Sequence, residues 1–345
     1  MNIPIDNIYY LLSYAWDKLE EKDQVDIDTV GLTSQVDLFG KILLNASKIL
    51  LKRGIEHNYT LETADIPAIK GKMLVSATIK SNTLQRNRTI CQYDTYSPNV
   101  ILNQILVSTL FRLIYTDKLD KEIKEQIKKV LFQFPQIDFI EIQTLHFKQI
   151  RLNRNNRFYK FVLNVCQLVF ESSLPSEEKG RFRFIDFTRD EVKMYRLFEN
   201  FVFNFYSLEL QGIFKVKRDQ IEWDFIVKNP NDLNYVPRML TDITLYNSYT
   251  KIIIDTKYYQ ETMSQRFEAR KIKSANLYQL FSYLLNQRDG SNLNDSATGI
   301  LLYPTIDEEY DLEYAYMNHK ILIRTLNLNL PWNRIQERLF KIVEV

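Results

Sequence analysis

The feature of this 345-residue sequence that most restricts its fold is a run of three isoleucines that leads into Asp255-Thr256-Lys257. An uninterrupted run of strand-favouring apolar residues predicts a strand that is buried on both faces. Because side chains alternate along a strand, Asp255 and Lys257 project to one face and Thr256 projects to the other. The sequence therefore predicts a carboxylate and an amine side by side at the end of a buried strand.

A second acid, Asp242, lies 13 residues before Asp255. This separation suits a short strand, a turn at Asn247-Ser248 and a return strand, so we expect a hairpin that brings the two carboxylates together. Carboxylates on neighbouring strands can bind Mg²⁺, which prefers oxygen ligands and keeps several waters. A lysine beside that ion can orient or deprotonate a water and offset charge on a phosphate. We therefore predict Asp242 and Asp255 as metal ligands, and both acids with Lys257 as catalytic residues of a Mg²⁺-dependent nuclease.

A helix that carries Glu199 is predicted before these strands, from Thr188 to Leu210, because Thr188 and Glu191 have capping-box spacing and apolar residues recur along the segment. Glu199 projects from the apolar part of that helix. Charged groups in such surroundings are usually paired or bound to a metal. We therefore include Glu199 among the candidate catalytic residues.

A second amphipathic helix is predicted after the strands, from Asn276 to Leu285, and it places Gln279 and Tyr283 on one face at positions i and i+4. Ordinary packing and hydrogen bonding would explain this pair equally well. However, the order of helix with Glu, strand, strand with Asp, strand with Asp-x-Lys, and helix with Gln and Tyr resembles the PD-(D/E)xK nuclease core. The Gln-x-x-x-Tyr pair resembles an extra motif of its RecB-like branch, so Gln279 is also a candidate catalytic residue.

The composition sets limits on other functions. With a net charge of +2, the chain is not a polycation, so any nucleic-acid surface must be local. The two cysteines, Cys91 and Cys166, form no disulfide framework or zinc spacing, and no apolar stretch is long enough for a bilayer, so we expect a cytoplasmic protein. No phosphate-binding loop of the Gly-x-x-x-x-Gly-Lys-(Ser/Thr) type is present, so any nucleotide hydrolysis must be performed by a partner.

Two domains are predicted, at residues 1–174 and 181–345, because the stretch from Leu174 to Gly180 has the composition of a linker. The first is expected to be an α+β domain of helices with a small β-rich unit from Tyr59 to Tyr93. Within this unit, the basic stretch from Lys80 to Arg88 is expected to form the tip between two strands, Val75 to Ile79 and Thr89 to Tyr93. The second domain is expected to be the α/β endonuclease domain of the PD-(D/E)xK type.

Several segments, in this order along nearly the whole chain, resemble the McrC family, the nuclease subunits of McrBC modification-dependent restriction systems. They are Ile3-Pro4-Ile5-Asp6-Asn7-Ile8-Tyr9-Tyr10, Asn156-Arg157-Phe158-Tyr159, Pro237-Arg238-Met239-Leu240-Thr241-Asp242-Ile243-Thr244, Asp255-Thr256-Lys257-Tyr258-Tyr259, Asn276-Leu277-Tyr278-Gln279 and Leu301-Leu302-Tyr303-Pro304. The resemblance places Asp242, Asp255 and Lys257 on the catalytic residues of the family. Glu199 and Gln279 match positions that are less diagnostic.

The resemblance also implies a partner, the AAA+ GTPase ring McrB, which binds GTP and recognises methylated cytosine in double-stranded DNA. It implies that this chain stimulates the GTPase through its N-terminal domain. We expect the basic tip with Arg86 and Arg88 to contact that ring. A double-strand break needs two active sites, so we also expect a symmetric, homodimeric contact between two nuclease domains.

Two other functions stay open at this point. The chain could be a stand-alone RecB-like exonuclease or resolvase that uses the same site without a GTPase. It could also be a non-catalytic adaptor that only activates a AAA+ ring, although an adaptor has no need for two acids around a buried strand end.

Overall fold

The computed structural model describes residues 3–16, 32, 34–153, 156–176, 180–259, 272–307 and 309–344. The chain divides into two compact units. The helical unit comprises the described residues of Val36–Ile185, and the sheet unit comprises those of Met1–Lys22, Asp28–Gln35 and Asp186–Val345. Within these residues, no helix is both long enough and apolar enough to cross a membrane.

The α-helices and β-strands of the described residues are interspersed along the chain. The helices are α1 (Ile5–Ala15), α2 (Gln35–Arg53), α3 (Val75–Lys80), α4 (Ile101–Ile114), α5 (Lys121–Leu131), α6 (Thr144–Gln149), α7 (Phe158–Ser172), α8 (Glu191–Glu209), α9 (Ser274–Asn286), α10 (Asn292–Asp295) and α11 (Trp332–Val343). The strands are β1 (Asn58–Ile66), β2 (Lys72–Met73), β3 (Thr89–Ser97), β4 (Ser173–Pro175), β5 (Phe182–Phe184), β6 (Lys215–Lys217), β7 (Gln220–Ile221), β8 (Met239–Leu240), β9 (Ile243–Tyr246), β10 (Lys251–Thr256), β11 (Thr298–Thr305), β12 (Asp311–Tyr316) and β13 (His319–Asn327).

The helical unit combines packed helices with a small antiparallel sheet in the order β1-β3-β2. Helix α4 packs against α5 and α7, and its buried face includes Ile105, Leu106 and Leu110. Helix α5 begins at a side-chain cap, because Asp120 accepts hydrogen bonds from the amides of Glu122 and Ile123. The expected combination of helices with a small β-rich unit is therefore present.

The segment from Val75 to Ile79 was expected to be a strand, and this prediction is wrong because it forms α3. Thr78 explains the difference. Its side chain is fully buried, its hydroxyl donates to Leu74 O at 3.0 Å, and the same oxygen accepts from Ile90 N at 3.0 Å. These bonds fix a helical turn against β3, so the basic stretch that follows is a helical connection and not the tip of a hairpin.

The sheet unit is built on a six-stranded mixed sheet with the order β12-β13-β11-β10-β9-β6. Strands β10, β11 and β13 are parallel, and the remaining pairs are antiparallel. The chain crosses from β10 to β11 through α9. Glycine at position 299 permits this close packing, since a Cβ there would lie 2.8 Å from Leu284 and 3.0 Å from Leu280. The unit is therefore a mixed α/β structure.

Strand β10 lies inside this sheet, as its isoleucines predict. Ile252, Ile253 and Ile254 are all fully buried, and the strand is paired with β9 on one side and β11 on the other. Helices α8 and α9 both contact it. Strand β10 is therefore enclosed by two strands and two helices, and the polar residues at its end are attached to a well-packed element.

The N-terminal helix belongs to the sheet unit, whereas we expected it in a domain of residues 1–174. Asn7 donates hydrogen bonds of 2.8 Å to the carbonyl oxygens of Leu328 and Leu330. Tyr10 stacks on Trp332 with 4.4 Å between the ring centroids. The main division of the chain also falls at Ile185, after the expected linker. These contacts join residues more than 300 positions apart, which a linker-based division does not reveal.

Helix α8 also begins later than expected. Asp190, not Thr188, is its N-cap residue, and the Asp190 carboxylate accepts from the amides of Val192 and Lys193. Thr188 lies in the preceding 3-10 turn, where its amide and its hydroxyl donate to Asp186. The predicted capping box is therefore replaced by a neighbouring aspartate.

Candidate active site

The two acids lie on the predicted hairpin. Strands β9 and β10 pair antiparallel, with Ile243 opposite Ile254, and the turn between them is closed by the Asn247 side chain, which accepts from the amides of Tyr249 and Thr250. Asp242 directly precedes β9, and Asp255 is the penultimate residue of β10. This part of the sequence prediction is observed in the structure.

Asp255 and Lys257 lie side by side, as strand alternation predicts. Lys257 Nζ is 2.6 Å from Asp255 Oδ2, and the Asp255 side chain is completely buried. Among the described residues, neither Asp255 oxygen has a hydrogen bond of ordinary geometry. Burial raises the pKa of Asp255 to about 7; the Lys257 ammonium opposes this increase in pKa, and the Asp242 carboxylate adds to it. The site thus holds a carboxyl group that needs a further cationic partner to stay ionised.

Asp242 is oriented by the residue between Asp255 and Lys257. Its Oδ2 accepts from Thr256 N at 2.8 Å and from Thr256 Oγ1 at 2.9 Å. Thr256 is fully buried and projects away from the Asp255 face, so both of its donors reach the neighbouring strand. The sequence analysis missed this role. The only indication in the sequence was that the middle residue of the triplet is threonine, because an aliphatic residue would suit a buried strand better.

Lys257 is held by a chain of hydrogen bonds from α9. Lys257 Nζ donates to Gln279 Oε1 at 3.0 Å, and Gln279 Nε2 donates to Tyr283 Oη at 2.7 Å. Tyr283 Oη in turn donates to the Leu240 carbonyl oxygen at 2.9 Å, two residues before Asp242. Burial raises the pKa of Tyr283 to about 12, so this hydroxyl stays protonated. The Gln279–Tyr283 pair therefore links the lysine to the segment that carries the first acid.

Glu199 lies near this group, but its direct partner is a cation. Glu199 Oε1 is 2.8 Å from Arg218 Nη2. Burial raises the pKa of Glu199, and the Asp242 carboxylate raises it further, whereas Arg218 and Lys257 oppose the increase. The sequence prediction that such a carboxylate would be paired or metal-bound is thus met by an ion pair with Arg218, within electrostatic range of Asp242.

Tyr195 is a second residue of α8 at this site that the sequence analysis did not single out. Burial raises its pKa, and the carboxylates of Asp242 and Glu199 raise it further. Its position four residues before Glu199 on the same helix was the available signal, because residues at i and i+4 share a face.

The donor set fits a magnesium ion. Asp255 offers buried oxygens without ordinary hydrogen bonds, and Asp242 uses one oxygen for Thr256, which leaves Oδ1 for a metal. Within the described ranges, no cluster of three or more His, Cys, Asp or Glu side chains is arranged to hold a metal. Mg²⁺ is often bound by one or two carboxylates and keeps water and phosphate oxygens as its other ligands, so two acids are a suitable set.

The two arginines expected at a partner contact lie in the helical unit. Arg86 ends a 3-10 turn at Thr83–Arg86 and is exposed. Arg88 is half-buried, and its Nε donates to Asp65 Oδ1 at 3.0 Å. Arg86 is therefore the more accessible of the two guanidinium groups.

A mixed α/β fold that places two acids and a lysine at the end of a buried strand is the arrangement of a candidate hydrolase site of the nuclease type. The family model described as "McrBC 5-methylcytosine restriction system component" matches residues 7–304. The chain belongs to this McrBC family, as an McrC homologue, which confirms the resemblance found in its sequence.

Two relatives illustrate the match. The "Type IV methyl-directed restriction enzyme EcoKMcrBC" of Escherichia coli strain K12 is 34% identical over 344 residues, which cover 99% of this chain and 97% of that protein. A solved structure, described as a refined half-complex from the tetradecameric assembly of Thermococcus gammatolerans McrB AAA+ hexamers with bound McrC, matches with a TM-score of 0.54 and 16% identity. That match covers 99% of this chain and 76% of the other. It shows a shared fold.

Proposed function

We propose that this chain is the endonuclease subunit of a GTP-dependent McrBC-type complex and hydrolyses phosphodiester bonds in DNA that contains methylated cytosine. The observation that carries the proposal is the group Asp242, Asp255 and Lys257, in a chain of the McrBC family. Its sheet unit is accordingly proposed to be a PD-(D/E)xK endonuclease domain. Two proteins that the chain resembles, a methyl-directed restriction enzyme and an McrC bound to McrB AAA+ hexamers, support the proposed substrate and the AAA+ partner.

Mg²⁺ is the proposed cofactor, held by Asp242 and Asp255. When bound, such an ion supplies Lewis-acid stabilisation of charge on the phosphate and lowers the pKa of a water. Thr256 orients Asp242 by occupying its Oδ2. GTP is proposed to bind to the partner, since this chain lacks a phosphate-binding loop.

Lys257 is proposed to orient the attacking water and to offset charge on the phosphate. An ammonium has three N–H donors. One is directed to Asp255 at 2.6 Å and another to Gln279 at 3.0 Å. The third is left for an oxygen of the water or phosphate. Gln279 and Tyr283 fix the position of Nζ, which matters because a misplaced donor stabilises the transition state poorly.

Cleavage of a cytosine-methylated plasmid, with Mg²⁺, GTP and the cognate ring, tests this proposal. We expect cutting by the wild type and by the control Asp232→Asn, which changes an exposed aspartate of the same unit, but not by Asp255→Asn. The Asp255→Asn variant is expected to retain stimulation of the partner GTPase. Equal cutting by Asp255→Asn would place the chemistry in the partner and leave this chain as an adaptor. Cutting of unmethylated DNA ends without GTP would indicate a stand-alone nuclease.

For the partner contact, we propose the surface around Arg86. Ile79 and Leu84 lie nearby in sequence, and their side chains are 63% and 51% exposed. An exposed apolar surface with a guanidinium is the composition of many protein interfaces. Arg86→Ala is expected to reduce GTPase stimulation, whereas the control Lys121→Ala, at an exposed position of α5, is not. Arg88→Ala also breaks the Asp65 contact, so it tests the surface less cleanly. Full stimulation by Arg86→Ala combined with Arg88→Ala would contradict the proposal.

We also propose that two sheet units act together on the two DNA strands. Complexes assembled from equal amounts of wild type and Asp255→Asn should then accumulate nicked plasmid, because half-active pairs cut one strand. If mixed preparations produce only linear product in proportion to the wild type, the pairing of two sites is incorrect.

A further inference from the structure

Arg218 directly follows β6, and three residues of α8 hold its guanidinium. Arg218 Nη2 lies 2.8 Å from Glu199 Oε1 and donates to Asn200 Oδ1 at 2.8 Å. Its Cζ lies 4.8 Å from the centroid of the Phe203 ring, a cation–π contact. The side chain is nevertheless 36% exposed. Arg218 is therefore a rigidly placed cation with an open side.

The guanidinium keeps donors for a ligand. It carries five N–H groups, and both polar contacts use Nη2. Within the described part of the chain, Nε and Nη1 have no hydrogen bond. A partly exposed ion pair that only balanced charge would add little to stability. A fixed arginine with free N–H groups instead matches the geometry that phosphate oxygens require.

The Arg218 segment is joined to the candidate active site through its backbone. Asp219 N donates to Thr241 Oγ1 at 2.8 Å, and Thr241 N donates to Asp219 O at 2.9 Å. Thr241 directly precedes Asp242. In addition, the Glu199 carboxylate that holds Arg218 interacts electrostatically with Asp242 and Lys257. Arg218 is thus tied to the acidic site through both its backbone and its side-chain partner.

The negative charge of the acids disfavours the binding of DNA, and a nearby cation reduces this repulsion. The carboxylates of Asp242 and Asp255 repel a polyanionic substrate, and Lys257 lies against Asp255. The neighbouring lysine on β6, Lys217, is directed to Asp219 at 2.7 Å. Beside the proposed Mg²⁺, a strand of DNA gains from a further cation next to the acids, and Arg218 supplies one whose side chain is already held by α8.

We propose that Arg218 binds a backbone phosphate of the DNA strand beside the candidate active site, and that Glu199 is a positioning residue for its guanidinium and not a metal ligand. This inference rests on the proposed nuclease function. The ligand is a phosphodiester group of DNA, so Arg218 contributes to affinity for any sequence and carries no base specificity.

The salt dependence of DNA binding tests the inference. The affinity of the assembled complex for a methylated duplex is measured at several salt concentrations in the Asp255→Asn background, which prevents cleavage. Loss of one phosphate contact makes the negative slope of log affinity against log salt concentration shallower by about 1. We expect this reduction for Arg218→Ala, and not for the control Arg334→Ala, whose exposed guanidinium pairs with Glu337 on α11. Arg218→Gln, which removes the charge but keeps an amide donor, is expected to match Arg218→Ala and serves if the alanine variant misfolds.

Two further measurements separate the roles of Glu199. Glu199→Gln should weaken DNA binding when Arg218 is present and have no added effect in Arg218→Ala, since Glu199 acts through the guanidinium. Calorimetric titration with Mg²⁺ should give a far smaller loss of affinity for Glu199→Gln than for Asp255→Asn, because Glu199 acts on the acids only at a distance. A drop in Mg²⁺ affinity comparable to that of Asp255→Asn would make Glu199 a metal ligand and overturn the inference, as would an unchanged salt slope in Arg218→Ala. If the wild-type complex neither binds nor cuts methylated DNA, the proposed function itself fails.

Discussion

Replacing Asp255 with asparagine should make the metal-free protein increasingly stable relative to the wild type as the pH rises through neutrality. Burial raises the pKa of Asp255 from its ordinary value of 3.8 to about 7. A carboxyl group whose pKa is raised in the folded state stabilises that state fully below its unfolded pKa. This contribution is lost as the pH rises from the unfolded pKa to about 7, because in this range the unfolded chain ionises its carboxyl group while the buried group stays protonated. Asparagine has nearly the same shape and never ionises, so the variant avoids this loss.

The size of the effect follows from the same pKa. One pKa unit corresponds to about 1.36 kcal/mol. Between about pH 5.5 and pH 8, the Asp255 carboxyl therefore lowers the free energy of unfolding of the wild type by about 2 kcal/mol. The pKa of about 7 already includes the attraction of Lys257 for the carboxylate. Between these two pH values, the free energy of unfolding of Asp255→Asn should therefore rise by about 2 kcal/mol relative to that of the wild type.

Urea unfolding in the presence of EDTA, at both pH values, measures this shift. The control is Asp232→Asn, which removes an exposed carboxylate of the same unit and should follow the wild type. At pH 8, added Mg²⁺ should stabilise the wild type and leave Asp255→Asn unchanged, since only the ionised acid pair binds the metal. If the unfolding free energies of wild type and Asp255→Asn run parallel from pH 5.5 to 8, the carboxyl is not raised in pKa by burial and the reasoning is refuted.

Three other perturbations test separate contacts of the site. Thr256→Val removes one hydrogen bond to the Asp242 carboxylate, so chemical unfolding should show a loss of about 1.5–3 kcal/mol, whereas Thr256→Ser should lose less because it keeps the hydroxyl. Tyr283→Phe removes the hydroxyl that accepts from Gln279, so steady-state cleavage should show a kcat reduced severalfold and an almost unchanged KM. Mg²⁺ binding should release close to one proton at about pH 6 and almost none at about pH 9, because the metal replaces a proton on Asp255; calorimetry in two buffers of different ionisation enthalpy counts these protons.

The parts of the site that the sequence predicted are those set by short-range geometry. Alternation along one strand places Asp255 beside Lys257, and the hairpin of β9 and β10 brings in Asp242, which lies 13 positions before Asp255. Helical periodicity pairs Gln279 with Tyr283, which are hydrogen-bonded at 2.7 Å. Each of these relations depends on spacing within a single element or between adjacent ones, so no knowledge of the tertiary fold was needed.

The parts that sequence reasoning missed depend on distant contacts. The strand-like residues of Val75 to Ile79 fold as α3 because the Thr78 hydroxyl bonds to Ile90 on a later strand. Helix α1 joins the sheet unit because Asn7 donates to carbonyls near the C-terminus. In both cases a buried polar side chain finds its partner in another element of the fold, 12 positions away for Thr78 and more than 300 for Asn7, and propensity or linker composition carries no information about that partner.

The burial of the acids within the sheet explains both why the metal-free site lowers the stability of the fold and why the site could attract a cation. A buried carboxylate with a raised pKa disfavours the folded state at neutral pH, so the sheet unit must offset it elsewhere. The isoleucines of β10, fully buried between β9 and β11, supply such an offset through apolar burial directly beside the charge. The same packing prevents Asp255 from moving out to water to relieve its own desolvation. A cation that bound there would stabilise the carboxylate charge that burial disfavours in the metal-free protein, so the desolvation of Asp255 would favour binding of the ion.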